Sequence, residues 1–126
     1  MKLLSILIAD DDEIILEMLK LAFEKCGLKV FTAKNGSDAW SLFCKEHTDI
    51  VITDMWMPGL NGNELSRLIR NQSPLTKIAL MTGAEVGGLE DLLNDGTANY
   101  LFMKPFNIGR ICKILKADAL VYDQPA

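Results

Sequence analysis

The fold is decided by an apolar run and the acids that end it, LSILIADDD at residues 4–12. Leu4 to Ala9 form an almost unbroken apolar stretch, which is typical of a strand buried on both faces of a parallel sheet. Residues 13–26 follow, in which apolar side chains recur at helical spacing at Ile14, Ile15, Met18, Leu19 and Ala22. A buried strand that leads directly into an amphipathic helix predicts a βα unit.

Four more units of this kind follow along the chain. The predicted strands are 29–33, 49–53, 77–81 and 100–103. The predicted helices begin after Asn35-Gly36-Ser37, run through Leu65, Leu68 and Ile69, and occupy 85–94 and 107–119. Gly87 and Gly88 weaken the fourth of the five helices. Five βα units predict an α/β fold in which a parallel sheet carries helices on both faces.

Charge and composition exclude several classes of function. A net charge of −4 and a pI near 4.9, without a basic face, argue against direct nucleic-acid binding. The sequence has neither an apolar run of membrane-spanning length nor a signal peptide, so we expect a cytoplasmic protein without a membrane partner. We expect one domain over residues 1–126, with a core of about 4–119 and a short tail, 120–126.

The cysteines and the histidine indicate no metal site of their own. Cys26, Cys44 and Cys112 are widely spaced and lie among apolar residues of predicted helices, which favours buried, reduced thiols. His47 falls at a predicted helix end between polar neighbours, and we interpret it as a solvated surface residue.

Polar residues stand where four of the predicted strands end. Asp10 and Asp11 follow the first strand, Asp54 the third, Thr82 the fourth and Lys104 the fifth. Ligands of such sheets bind beyond the carboxyl ends of the strands, so these side chains should form one site. Clustered carboxylates repel unless a cation offsets them, and hard oxygen ligands suit Mg²⁺. An aspartate can accept a phosphoryl group, with a lysine and a hydroxyl as partners for its oxygens.

Each of these residues also has a simpler explanation. Acids at a helix N-terminus favour the helix dipole, which accounts well for Asp12 and Glu13 but not for Asp10 at the end of a buried strand. Asp54 also suits a turn, threonine suits any strand, and a lysine is usually a solvated charge. The coincidence of all these residues at one edge of the sheet favours a functional site.

Four segments of the sequence resemble the receiver domain of bacterial two-component response regulators. They are ILIADDD at 6–12, DMWMPGLNG at 54–62, MTGA at 81–84 and KPF at 104–106, and the likeness covers about residues 4–119. The resemblance implies a flavodoxin-like, doubly wound fold of three layers, with five parallel strands in the order 2-1-3-4-5 and five helices.

The resemblance also implies the metal-binding and acceptor residues. Asp54 is then the phosphoacceptor, and the metal is held by Asp10, Asp11, Asp54 and the backbone carbonyl of Trp56. Mg²⁺ is the expected ion, and Mn²⁺ its substitute. Trp56 is large for its place, and we hypothesise that it shields the acyl phosphate from water.

Thr82 and Lys104 are implied to bind the phosphoryl group and to drive the switch. The bond between Lys104 and Pro105 resembles one that is cis in the family. The family usually has an aromatic residue three positions before the lysine, whereas this sequence has Leu101 there and Tyr100 one position earlier. Either the register differs or the aromatic half of the switch is missing.

The sequence therefore predicts a phosphorylation-activated signalling switch of a phosphorelay. Its partners are a histidine kinase or phosphotransfer protein upstream and a protein downstream, and a homodimer through the face of helices 4 and 5 follows from family analogy. It would be no enzyme, since it catalyses only its own phosphorylation and dephosphorylation. Two alternatives stay open: a phosphate-independent interaction module with the same fold, and a Mg²⁺-dependent phosphohydrolase.

Overall fold

A computed structural model describes residues 3–83, 89–104 and 107–123, without the side chains of 120–123. Five strands alternate with five helices in the described residues. The strands are β1 (Ser5–Ala9), β2 (Lys29–Ala33), β3 (Ile50–Asp54), β4 (Lys77–Thr82) and β5 (Tyr100–Met103). The helices are α1 (Glu13–Lys25), α2 (Gly36–Glu46), α3 (Gly62–Gln72), α4 (Glu90–Asn94) and α5 (Ile108–Asp123). None of the described helices combines the length and the apolar character needed to cross a membrane.

All five strands are parallel and lie in the order β2-β1-β3-β4-β5. The predicted fold class and strand order are therefore confirmed. The chain reverses its direction of winding at β1, which places helices on both faces of the sheet. Open sheets of this kind bind their ligands next to that reversal, beyond the carboxyl ends of the strands.

Each face of the sheet has its own apolar cluster. Ile6 and Ile8 of β1 point to the cluster shared with α1 and α5, whereas Leu7 and Ala9 point to the cluster shared with α2, α3 and α4. These β1 side chains are fully buried, because the period of two in a strand sends successive residues to opposite covered faces. The continuous apolar run of β1 thus serves two cores at once.

The buried face of α1 agrees with the predicted one at Leu19, which is buried, and at Ile15, which packs against the core cluster, but not at Ile14 and Met18. Leu16, Leu19 and Phe23 are buried, whereas Ile14 is 74% exposed and Met18 is 56% exposed. Two apolar stripes lie side by side on this helix, and spacing alone cannot choose between them. The stripe that faces the sheet includes Phe23, whose large ring fills the space between α1 and the sheet.

The helix termini explain several polar residues. Asp12 caps α1, since its side chain accepts hydrogen bonds from the backbone N–H groups of Ile14 (2.9 Å) and Ile15 (3.3 Å). The expected N-terminal role of Asp12 is thus confirmed. Asn35 caps α2 in the same way, accepting from the backbone N–H of Asp38 at 2.7 Å.

The thiols are only partly as predicted. Cys112 is buried and Cys26 is half-buried, but Cys44 is exposed, so the prediction of a buried thiol is wrong for Cys44. Its neighbour Phe43 is buried on α2, and one residue along a helix turns the side chain by about 100°. His47 is exposed, as expected, and ends α2 in a left-handed conformation with φ of 48°.

Two predicted helix boundaries lie in the C-terminal third of the chain. Helix α4 covers Glu90–Asn94 in the described residues, and the predicted start at Glu85 and the Gly87-Gly88 weak point fall on residues 84–88, which lie outside them. Helix α5 extends beyond the predicted end at residue 119 to Asp123.

Candidate functional site

The carboxyl ends of the strands bring the predicted polar residues to one edge of the sheet. The parallel register pairs Ala9 with Thr53, Asp54 with Met81, and Thr82 with Met103. The strands therefore end at nearly the same level. Asp10, Asp54, Thr82 and Lys104 each stand at or directly after one of these ends.

Three carboxylates converge in the resulting pocket. Asp10, Asp11 and Asp54 each place a carboxylate oxygen within 4.8 Å of the other two. Asp10 is fully buried, Asp54 is half-buried and Asp11 is exposed. Three anionic oxygens at this spacing repel one another, and they match the oxygen ligands that hard divalent cations prefer.

Asp10 is fixed by the backbone at the start of α1. Its Oδ1 accepts a hydrogen bond from the backbone N–H of Asp12 at 2.9 Å, and its own N–H donates to the carbonyl of Ala33 at 3.1 Å. A buried carboxylate needs such donors to offset its loss of water. The sequence did not reveal this contact, because it depends on the turn between β1 and α1.

Among the described residues, Lys104 supplies the positively charged side chain of the pocket. Its Nζ lies 3.5 Å from Oδ2 of Asp10 and 3.7 Å from Oδ2 of Asp54, and its side chain is 25% exposed. The backbone N–H of Lys104 also donates to the carbonyl of Thr82 at 2.7 Å. One lysine thus contacts two carboxylates and joins the ends of β4 and β5.

The electrostatics single out Asp54. Burial raises the pKa of this carboxyl above its ordinary value, and the charges of Asp10 and Asp11 act in the same direction. Lys104 and the backbone N–H of Met55 oppose this shift in the pKa of Asp54 but do not cancel it. A cation in the pocket would favour the ionised, nucleophilic form of Asp54.

The backbone after Asp54 is held by a close approach to α3. The N–H of Gly62 donates to the carbonyl of Met55 at 2.8 Å, and the N–H of Met55 donates to the carbonyl of Met81 at 3.1 Å. A Cβ on Gly62 would stand 2.6 Å from the carbonyl oxygen of Asp54. Gly62 is therefore a site residue, which the sequence analysis included only as the last residue of the DMWMPGLNG segment. Its position directly after Asn61, which caps α3, is the sequence feature that could have indicated its role.

Thr82 is buried at the end of β4, next to β3 and the acceptor. Trp56, in contrast, has 64% of its surface exposed. The predicted metal contact of the Trp56 carbonyl stays a prediction. Pro105, with its predicted cis bond, and Phe106 lie outside the described residues.

Leu101 and Tyr100 lie on opposite faces of β5. Leu101 pairs with Leu80 and packs against the cluster that contains Leu92 of α4. Tyr100 belongs to the other face, where its ring stacks on Phe102 at a centroid distance of 5.6 Å. The position that faces α4 therefore carries a leucine. A switching role for Leu101 stays a prediction.

Comparisons with known proteins agree with this geometry. The family model described as "Response regulator receiver domain" matches residues 6–116. Sporulation initiation phosphotransferase F of Bacillus subtilis (strain 168) is 32% identical over 112 residues, which are 88% of this chain and 90% of that protein. The crystal structure of a response regulator receiver domain protein from Clostridium thermocellum is 27% identical, with a TM-score of 0.88 over 96% of this chain and 98% of that one.

Other relatives match over only part of their length. Regulatory protein AtoC of Escherichia coli (strain K12) is 34% identical over 112 residues, which are 88% of this chain and 24% of that protein. Response regulator GtcR of Aneurinibacillus migulanus is 35% identical over 104 residues, which are 82% of this chain and 42% of that protein. The chain thus spans about a quarter to two fifths of the length of these two regulators.

Proposed function

We propose that this chain, which belongs to the response regulator receiver domain family of two-component systems, accepts a phosphoryl group on Asp54. Phosphorylation would then change its protein-binding surface. The observation that carries the proposal is the position of Asp54, half-buried among two other carboxylates with Nζ of Lys104 at 3.7 Å. A solvated turn residue would have neither this burial nor these neighbours.

The transfer uses Asp54 as the nucleophile. A carboxylate oxygen of Asp54 forms a bond to the phosphorus of a phosphohistidine, and the bond from phosphorus to the imidazole nitrogen breaks. The electron pair of that bond stays on the imidazole nitrogen, the ring takes up a proton from solvent, and the product is an acyl phosphate on Asp54. Lys104, already within 4 Å of Asp54, offsets the charge of the phosphoryl oxygens. Beyond this reaction and the hydrolysis that releases the phosphoryl group from Asp54 as inorganic phosphate, the domain is no enzyme.

A divalent cation fits the pocket. Asp10, Asp11 and Asp54 supply oxygen donors that lie close enough together to share one ion, and their mutual repulsion in its absence favours binding. We assign Mg²⁺ to these residues, with Mn²⁺ as the substitute and the carbonyl of Trp56 as a further ligand. When bound, the ion offsets negative charge on the carboxylates and on the transferring phosphoryl oxygens.

The switch acts through the ends of β4 and β5. A phosphoryl group adds about two negative charges and strong acceptor oxygens. Thr82 and Lys104, joined by the 2.7 Å backbone hydrogen bond, provide a hydroxyl and an ammonium group for these oxygens. The arrangement that binds them better becomes more populated, and α4, β5 and α5 present that change to a downstream protein. The same face is the proposed surface for a homodimer.

The upstream partner would dock along α1. Ile14, Met18 and Leu21 are 74%, 56% and 52% exposed, and they recur at helical spacing from the end of α1 that follows Asp11 and Asp12. Trp56 adds an exposed ring on the loop after the acceptor. A partner that delivers a phosphoryl group to Asp54 must cover this end of the sheet. We therefore assign the exposed stripe of α1 to the phosphohistidine-bearing surface of a histidine kinase or phosphotransfer protein, which implies a cytoplasmic setting.

One observation favours a second candidate function. Because Leu101 stands where the family usually has an aromatic residue, the domain would also suit a phosphate-independent interaction module. Such a module would bind its partner equally well with Asp54 unmodified.

Intact mass tests the proposal. The protein is incubated with Mg²⁺ and acetyl phosphate or phosphoramidate, in parallel with Asp54→Asn and with the control Asp91→Asn, which alters an exposed acid of α4. We expect one added phosphoryl group in the wild type and the control, and none in Asp54→Asn. The absence of any gain, with Mg²⁺ binding confirmed by titration, would refute phosphorylation and favour the interaction module.

A further inference from the structure

Two of the three cysteines belong to the apolar cluster that α1 and α5 share, on the face of the sheet opposite to α3. Cys112 lies on α5 and is 1% exposed, and Cys26 is half-buried against the same apolar cluster. Burial, together with a hydrogen bond with the Cys26 thiol, raises the pKa of the Cys112 thiol to about 12. The two cysteines therefore face the same apolar cluster, one from the end of α1 and the other from α5. Neither thiol takes part in the proposed phosphoryl transfer.

The backbone at Cys26 is fixed on both sides. Cys26 ends α1 and donates its N–H to the carbonyls of Ala22 and Phe23, and Gly27 follows in the left-handed conformation with φ of 88°. From α5, Nζ of Lys116 donates to the carbonyl of Cys26 at 2.6 Å. Lys116 lies one helical turn after Cys112, so the two residues of α5 face Cys26 together. This arrangement holds the turn of α5 that carries Cys112 and Lys116 against the end of α1 at Cys26.

We propose that Cys26 and Cys112 are a redox-sensitive thiol pair that closes to a disulfide between the end of α1 and α5. The two thiols have different roles, because only Cys26 has an accessible surface. A peroxide in solution reaches Cys26, and Cys112 is the buried partner that resolves the oxidised sulfur. A transient disulfide of this kind is compatible with a reducing compartment, where disulfides usually serve redox sensing.

The oxidation balances with one peroxide molecule. The thiolate of Cys26 attacks one peroxide oxygen, the O–O bond breaks, and hydroxide leaves, which gives a sulfenic acid on Cys26. The sulfur of Cys112 then attacks the sulfur of Cys26, the S–O bond breaks, and the thiol proton of Cys112 leaves with the oxygen as water. Two thiols are oxidised to one disulfide, and hydrogen peroxide is reduced to two water molecules.

The disulfide would tie α5 to α1. Helix α5 is part of the surface that we assign to the downstream partner, so oxidation restrains one element of the output face without changing Asp54. This consequence rests on the proposed function, but formation of the disulfide does not. A test that reads only the thiols therefore separates the failure of this inference from the failure of the phosphorylation proposal.

The experiment uses the full chain with Cys44→Ser, because Cys44 is exposed and would form intermolecular disulfides. The protein is treated with hydrogen peroxide, unfolded in the presence of N-ethylmaleimide, and analysed by intact mass and peptide mapping. We expect a loss of two hydrogen atoms, no maleimide adduct, and a linked pair of peptides containing Cys26 and Cys112. Dithiothreitol should restore both thiols.

Two variants in the same background assign the roles. With Cys112→Ala, Cys26 should gain oxygen and form no internal link. With Cys26→Ser, Cys112 should stay reduced, because it is buried. The inference is overturned if the parent protein keeps two maleimide-reactive thiols, or gains oxygen atoms without a link. It is also overturned if Cys112 oxidises as readily in the absence of Cys26 as in its presence.

Discussion

Lys104→Met is the change that most directly tests the electrostatics of the pocket. Methionine keeps much of the length and apolar stem of lysine but removes the charge that lies 3.5 Å from Asp10 and 3.7 Å from Asp54. Without metal, three carboxylates would then converge with no nearby cation among the described residues. The folded state should be destabilised, since the unfolded chain separates these charges in water.

The magnitude follows from the two distances. At an effective dielectric constant of about 20, each contact of Lys104 contributes roughly 4–5 kcal/mol of Coulomb attraction. The side chain of Lys104 is 25% exposed, and its removal also abolishes the cost of desolvating the ammonium group. We therefore expect the free energy of unfolding to fall by about 2–3 kcal/mol, below the range for a fully buried pair. That loss corresponds to a fall in Tm of about 8–12 °C for a domain of this size.

Thermal unfolding in a chelator at pH 8 measures the effect. Lys113→Met serves as the control, because Lys113 is an exposed lysine on α5. Added Mg²⁺ should raise the Tm of Lys104→Met more than that of the wild type, since the cation replaces the missing charge. At pH 5 the loss should be smaller, because Asp54, whose pKa is already raised, then takes up a proton more readily. If Lys104→Met is as stable as Lys113→Met in chelator, the pocket is not strained by its carboxylates and the reasoning fails.

Four further predictions concern single positions. In chelator, the free energy of unfolding should fall as the pH rises from 3.8, the ordinary pKa of an aspartate, through the raised pKa of Asp54, because the folded state binds the proton of Asp54 more tightly than the unfolded state does. Urea titrations at several pH values measure this fall, and Asp54→Asn should lack it. Asp11→Asn should raise the metal-free Tm by less than Asp54→Asn, since Asp11 is exposed, and it should weaken the rise caused by Mg²⁺; a lower Tm would contradict this. Gly62→Ala should cost about 1–3 kcal/mol, because its Cβ would meet backbone, whereas Gly83→Ala should be tolerated; equal urea midpoints would refute the steric argument. Trp56→Ala should lose phosphate faster in a mass-based decay assay if the exposed ring shields the acyl phosphate, and an unchanged rate would reject that hypothesis.

The convergence of the polar residues at one edge of the sheet was largely predictable, because they stand at strand ends. Asp10, Asp54 and Lys104 each follow an apolar run that is recognisable as a buried strand, and parallel strands bring their carboxyl ends to one edge. The apolar runs and their order along the chain thus predict which residues converge. They do not predict distances, and so only the structure shows that Lys104 lies close to both Asp10 and Asp54.

Helix faces were less predictable than strand ends. On α1, apolar side chains form both the stripe of Leu16, Leu19 and Phe23 and an adjacent stripe that includes Ile14 and Met18. A periodic pattern shows that a helix is amphipathic, but it does not show which of two adjacent apolar stripes faces the sheet. Fit against the sheet decides it, and that fit depends on residues distant in sequence.

The sequence by itself determined the parallel α/β architecture and the set of polar residues at the edge of the sheet, because periodicity and strand-terminal position are local properties. Only the tertiary structure decided which side chains are charged neighbours, that Gly62 must lack a side chain, and that Leu101 and Tyr100 face opposite cores. It also placed Cys26 and Cys112, which are far apart in the chain, at the same apolar cluster. Contacts of this kind depend on how separate elements pack, and no local pattern of residues encodes them.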